Sequence, residues 1–220
     1  MDATLVTRSY VSYTRILLLN FTQMTPFFAK VHDGGAHFSA KHLSMRAQKK
    51  ILGKMSSRSI AKHFISDTAA RLLDNLYRIL KDFYTKKEAE KVVKNVIKMA
   101  IKMGVLAKNE QFNEDQRRAL SDFQRKYRQL CLTIVSFAQV HYSYDRAFLR
   151  KLLAETQSAL IPVVRAHLSG KSADRVEFVF EYLGREEFCD SVFKVGGLYE
   201  ELLGRVVADL DRLMDEERRG

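Results

Sequence analysis

Proline occupies only two of the 220 positions, and glycine ten. So few points force the backbone to turn that the chain favours long helices over many short strands. Helix-start signals agree with that reading. Thr85 is followed by Glu88, and Asn113 by Gln116. Both spacings form capping boxes, in which the cap side chain and the third helical residue satisfy each other's backbone N–H. No segment alternates apolar and polar residues between hairpin turns. The expected class is all-α, with helices long enough for one compact bundle.

The stretch "HDGGAH" (32–37) separates an N-terminal extension, residues 1–37, from a helical body at 38–217, with 218–220 as a tail. Residues 38–55, "FSAKHLSMRAQKKILGKM", carry Leu43, Ala47, Ile51 and Met55 on one side and Arg46, Lys50 and Lys54 on another. Ser56 or Ser57 is placed to cap a helix through about Tyr84. Further helices are expected from Thr85 to about Ala107, from Asn113 to about His141, and from Ser143 to Leu168. "SGKS" (169–172) then breaks the chain, and helices near 173–193 and 198–216 follow, parted by Gly196-Gly197. Pro162 lacks an N–H and clashes with the carbonyl of Ser158, which predicts a kink or break. The segment before residue 32 has Arg8, Arg15, many hydroxyls and little acid, but it reads as a flexible, chain-specific extension rather than a targeting signal.

Charge is unevenly placed. Residues 38–128 hold 22 Lys/Arg against 9 Asp/Glu, whereas residues 129–220 hold 12 against 15. A molecule polarised in this way suits an anionic partner. Residues 38–64 contain seven Lys/Arg and no acid. An ordinary solvated helix mixes signs, because opposite charges one turn apart help it. One apolar stripe with unmixed basic flanks fits an anionic membrane surface or a phosphorylated ligand. "KVVKNVIKMAIKMGVLAK" (91–108) is similar, with five lysines and no acid. Its Lys91, Lys94, Lys98 and Lys102 share one arc, read as a solvated face. Lys108 falls nearer the apolar side.

Several function classes are disfavoured. No GxSxG, P-loop, GxGxxG or HExxH occurs, so no enzyme is expected and no catalytic residue is assigned. His141 and Asp145 stand one turn apart where two helices meet, which reads as capping or surface. Cys131 and Cys189 lie in apolar patterns without a metal-ligand spacing, so both are expected to be buried thiols and no metal is expected. No run reaches the ~18–20 apolar residues needed to span a bilayer. Nucleic acid is not the expected partner, because the aromatic residues fall largely on core-compatible positions and no helix-turn-helix, zinc-finger or RNP pattern appears.

The blocks "FSAKHLSMRAQKKILGKM", "DNLYRILKDFYTKKEAEKVVKNVIKMAIKMGVL", "NEQFNEDQ", "TIVSFAQVHYSYDRAFLRKLL" and "HLSGKSADRVEFVF" resemble the tumour necrosis factor-alpha-induced protein 8 family, in unbroken order over about residues 38–217. The resemblance implies an antiparallel bundle of six long helices plus a leading amphipathic helix, enclosing an elongated apolar cavity. It implies a cytoplasmic, peripherally membrane-associated regulator of cell death, immunity and growth signalling. Such a protein would bind or transfer phosphoinositides, with acyl chains in the cavity and the head group at a basic mouth. No cofactor is expected; the ligand would be a phospholipid. Signalling proteins are the other implied partners, and a signalling adaptor without lipid transfer is the alternative. The head group would fall to Lys49 and Lys50, which match an adjacent basic pair of the family, and to Lys108, where the family often has Arg. A further family Arg corresponds to Gln124; Arg125 and Arg128 are the nearby candidates. Ile97, Met99, Met103, Val135 and Phe137 are the residues expected to line the cavity.

Overall fold

A computed structural model describes residues 66–109 and 111–219, with the backbone alone for Lys108 and residues 216–219. The described residues form seven helices and no strand: α1 Asp67–Phe83, α2 Lys86–Lys108, α3 Glu114–Gln139, α4 Arg146–His167, α5 Gly170–Leu183, α6 Glu186–Phe193 and α7 Glu200–Arg219. The leading segment 38–55 and the extension 1–37 lie outside the described residues.

Both capping boxes form. The Thr85 hydroxyl accepts from the Glu88 N–H while Glu88 accepts from the Thr85 N–H, and Asn113 and Gln116 do the same at α3. Three boundaries differ from the sequence reading. Ser66, with extended backbone, caps α1, so a helix running unbroken from Ser56 or Ser57 is ruled out at that point. Asp145, not Ser143, caps α4 by accepting from the Phe148 N–H. The Ser143 hydroxyl instead donates to the carbonyls of Ser136 and Val140, finishing α3. The helix expected over 173–193 starts earlier, at Gly170, and is two helices, α5 and α6. Between them the Gly184 N–H closes the last turn of α5 on the Phe180 carbonyl, and Leu153 of α4 packs 3.6 Å from where a side chain would begin. The Gly196-Gly197 turn is as expected. Gly196 sits at φ +66, and a Cβ on Gly197 would fall 2.8 Å from the Lys194 carbonyl. Pro162 does not break α4, which is helical from Arg146 to His167; its ring is exposed.

The long helices close a ring. α1 packs on α2, α2 on α5, α5 on α4, α4 on α3, α3 on α7, and α7 back on α1, with the short α6 against α4, α5 and α7. Side-chain pairs show α2 and α5 to be antiparallel: Lys102 meets Ser172 while Glu88 meets Tyr182. The largest core cluster joins Ile79 and Leu80 of α1, Val92, Val93 and Ile97 of α2, Val135 of α3, Tyr182 of α5 and Leu210 of α7. A second joins the C-terminal half of α2 to α3, α4 and α5 through Leu106, Phe123, Val163 and Val176. Most of this stability is burial, at ~25 cal/mol per Å² of apolar surface removed from water. No described helix is long and apolar enough to cross a membrane.

Candidate functional site

The lysine stripe of α2 is not simply a solvated face. Lys91 and Lys94 are exposed, but Lys98 and Lys102 are half-buried against α5. The Lys102 ammonium donates to the Ser172 hydroxyl at 2.7 Å. Lys91 places its ammonium 3.9 Å from the centre of the Phe178 ring. Burial pulls the Lys98 ammonium below its ordinary value, with Arg175 and Lys94 adding like-charge repulsion. Helical period alone grouped the four lysines correctly, but α5 comes to this side of the helix only through long-range packing.

The head-group candidates are spread over three segments. Lys49 and Lys50 lie outside the described residues. Lys108 is the last residue of α2, and only its backbone is described. Packing of Leu106 and Phe112 with Phe123 brings this helix end beside α3, the helix of the other two candidates. Arg125 is 78% exposed at its side chain and pairs with Asp122 at 2.5 Å, so an incoming anion would have to compete with a carboxylate. Arg128 and Gln124 are half-buried. Successive residues are ~100° apart on a helix, and the exposed Arg125 does not take the half-buried place of Gln124.

The five cavity-lining candidates distribute among the core clusters. Ile97 and Val135 belong to the largest, Met99 and Met103 to the second. Phe137 packs against the third and meets the rings of Tyr144 and Phe193, 5.5 and 5.8 Å away. Two surface hollows, of about 390 and 420 Å³, are lined by none of the five.

The smaller hollow lies between α1 and α7. Arg71, Arg78, Arg205 and Arg212 line it with Asp74, Asn75 and Asp209. Asp209 is 4% exposed and accepts from Arg71 Nε at 3.1 Å and Asn75 Nδ2 at 3.4 Å. Sequence reasoning passed over this group. Its signal was an acid inside the apolar pattern "VVADLDRLM" of α7. The larger hollow lies between α3 and α4, where Lys126 pairs with Glu155 at 3.3 Å.

Both cysteines are buried and unbridged, as their apolar contexts imply. Burial and the neighbouring Asp190 push the Cys189 thiol up to about 11. His141 is exposed, and Asp145 has the capping role expected for that pair. No cluster of three potential metal ligands occurs among the described residues.

Fold and surface together define an all-α bundle with a cation-rich flank where α2 meets α5. Within that class the chain belongs to the tumor necrosis factor alpha-induced protein 8 family: the model described as "Tumor necrosis factor alpha-induced protein 8-like" matches residues 38–217. The chain is 43% identical to the tumor necrosis factor alpha-induced protein 8-like protein of Drosophila pseudoobscura pseudoobscura over 180 residues, covering 81% of this chain and 95% of that one. It is 42% identical to the protein salivary glands marred of Drosophila melanogaster, covering 81% and 95%. It is 41% identical to the human tumor necrosis factor alpha-induced protein 8, covering 82% and 91%.

Proposed function

We propose that this protein is a non-catalytic regulator of cell-death, immune or growth signalling that acts by binding a phosphoinositide, and in doing so associates peripherally with membrane in the cytoplasm. Family membership carries the regulatory part. The lipid part is supported by the cation excess of residues 38–128. A phosphoinositide head group bears several negative charges, and converging Lys and Arg answer it with charge-assisted hydrogen bonds. Lys49, Lys50 and Lys108 would take those charges, with Arg125 and Arg128 beside them. The acyl chains need an apolar channel, and each buried methylene is worth ~0.8 kcal/mol, so chain insertion would supply much of the affinity. Ile97, Met99, Met103, Val135 and Phe137 would have to part to admit them. Mass spectrometry of lipids co-purifying with the full chain, together with flotation on phosphoinositide vesicles, tests the reading. A phospholipid should co-purify, and Lys49→Glu with Lys50→Glu should abolish flotation. A lipid-free protein whose flotation survives that double change would overturn it.

The adaptor reading has its own observation. Tyr142 is 92% exposed at φ 64, and Leu198 is 90% exposed. The loop of Tyr142 meets α6, which leads into the loop of Leu198, where Tyr144 stacks on Phe193 at 5.1 Å and donates to Asp190 at 2.8 Å. Exposed aromatic and leucine side chains are suited to a protein partner. If Tyr142→Ser with Leu198→Ser removes signalling while lipid binding persists, the adaptor reading gains.

A further inference from the structure

The cations at the α2–α5 seam are distinguished by convergence: Lys98 and Arg175 are half-buried near one another, whereas other cations without a carboxylate, such as Lys81, Lys86 and Lys194, are exposed. Arg71, Lys126, Arg146, Arg165 and Arg185 each hold a carboxylate of Asp209, Glu155, Asp190, Glu177 and Glu181 respectively. Lys94 and Lys98 of α2 and Lys171 and Arg175 of α5 have no such partner among the described residues. Glu177 and Glu181 lie on α5 too, but Arg165 and Arg185 engage them. Glu88 of α2 reaches the seam as well, but it accepts from the Thr85 and Tyr182 hydroxyls; Asp174 and Glu90 are the remaining acids of the two helices, and both are exposed.

This placement is costly for the free protein. Lys98 and Arg175 are half-buried, and Lys98 feels the repulsion of both Arg175 and Lys94. Like charges one turn apart destabilise a helix, and partial burial reduces their screening. Packing holds the arrangement in place: Lys102 is bonded to Ser172 at one end, and Lys91 lies over Phe178 toward the other. The stripe from Lys91 to Lys102 runs about 16 Å along α2. An anionic surface laid against it would supply the negative charge that the chain withholds.

The partner's chemistry follows from what the ridge lacks. Protein interfaces centre on buried aromatic and apolar anchors. Among the described residues the large apolar side chains exposed are Leu132, Val140, Tyr142, Phe148, Val195 and Leu198, none of them on α2 or α5. Phe178 is half-buried beneath Lys91 and offers no open stacking face. Three of these four seam cations are lysines, compact charges on flexible stems without the directed fork of arginine. That suits a fluid array of anionic head groups better than one fixed ligand.

We propose that the α2–α5 seam is the face this protein lays against a bilayer rich in anionic lipid, with Lys94, Lys98, Lys171 and Arg175 as the contact cations. The proposal rests on the membrane association proposed above and adds a face distinct from the head-group residues. The α2–α5 face captures the membrane by charge, independently of which head group is bound elsewhere.

The test is co-sedimentation of the full chain with phosphatidylcholine vesicles, with and without phosphatidylserine, and free of phosphoinositide. The wild type should sediment only with the anionic vesicles, and rising salt should release it. Each cation near an anionic surface strengthens binding about fivefold, so Lys94→Gln, Lys98→Gln and Arg175→Gln together should weaken it about 100-fold. Asp174→Lys should strengthen it several-fold. The triple variant should match or exceed the wild type in urea resistance, because repulsion is relieved, so lost binding would not reflect unfolding. Unchanged sedimentation of the triple variant would overturn the proposal. So would a wild type that ignores phosphatidylserine vesicles, or one that prefers double-stranded DNA to them. Titration with a soluble inositol trisphosphate separates the two readings. If the triple variant loses vesicles but keeps this ligand, both stand. If the wild type binds anionic vesicles through the seam, takes no inositol trisphosphate and carries no lipid, the head-group reading falls and the seam remains.

Discussion

Replacing Arg71 by Met leaves the buried carboxylate of Asp209 without its cation. Asp209 sits on α7 at 4% exposure, with buried Val206, Val207 and Leu210 as neighbours in sequence. Arg71 reaches it from α1 through Nε at 3.1 Å, and Asn75 adds a bond at 3.4 Å. Removing one partner of a fully buried pair costs about 3–5 kcal/mol, because the other charge stays desolvated. Arg71 is 47% exposed at its side chain, so water can reach the vacated side, and the expected loss falls to about 2 kcal/mol. The flexible Met side chain retains much of the aliphatic packing, so the loss reports charge rather than volume. For a chain of this size that loss lowers Tm by about 4–8 °C. The second arm adds Asp209→Leu to Arg71→Met. Replacing both partners by apolar groups is often neutral, so most of the loss should return. Urea titration at neutral pH, with the midpoint and slope fitted for wild type, single and double variants, reads both arms. A single variant within about 0.5 kcal/mol of wild type, or a double variant less stable than the single, would refute the reasoning.

Glu88 gives a pH signature. Bonds from the Thr85 hydroxyl at 2.6 Å and the Tyr182 hydroxyl at 2.8 Å favour its carboxylate and hold its pKa below the ordinary 4.5. A depressed acid stabilises the fold above its unfolded pKa, and that contribution is lost as pH falls through the folded value. Wild type should therefore lose more stability than Glu88→Gln between neutral pH and about pH 3, measured by urea midpoints. Cys131 and Cys189 should resist alkylation in the native state and react fully in denaturant, since both thiols are buried out of reach of the reagent; intact mass before and after iodoacetamide decides it. Phe123 is 2% exposed, so Phe123→Ala should cost about 3–5 kcal/mol, read as an earlier urea midpoint. Thr85→Ala should cost about 1 kcal/mol through loss of the α2 cap, with circular dichroism following the melt.

Caps show where local reading succeeds and where it fails. Thr85–Glu88 and Asn113–Gln116 are closed motifs whose donors and acceptors lie within four residues, and both form as the spacing implies. Serine is a weaker guide, because many serines can cap and only one does. Ser66 starts α1, and Ser143 finishes α3 while Asp145 starts α4. Gly184 divides a continuous apolar pattern where its N–H closes α5 on the Phe180 carbonyl, and a Cβ there would fall 3.0 Å from that oxygen. Pro162 stays helical with its ring on the exposed side. At the candidate site, the family resemblance pointed to Lys108 and to Gln124, with Arg125 and Arg128 as the nearby candidates, but the pairing of Arg125 with Asp122 became visible only in the fold.

The amino-acid sequence by itself determined the all-helical class, the capping boxes at α2 and α3, the burial of both thiols and the family. These depend on short-range hydrogen bonding, on helical period and on long collinear blocks of residues. Tertiary structure decided which helix faces which. It closed the ring from α1 to α7, buried Asp209 beside Arg71, and set Lys98 and Lys102 against Arg175 and Ser172 of α5. Those partners stand 70 or more residues apart in the chain, and only packing brings such distant positions to contact distance.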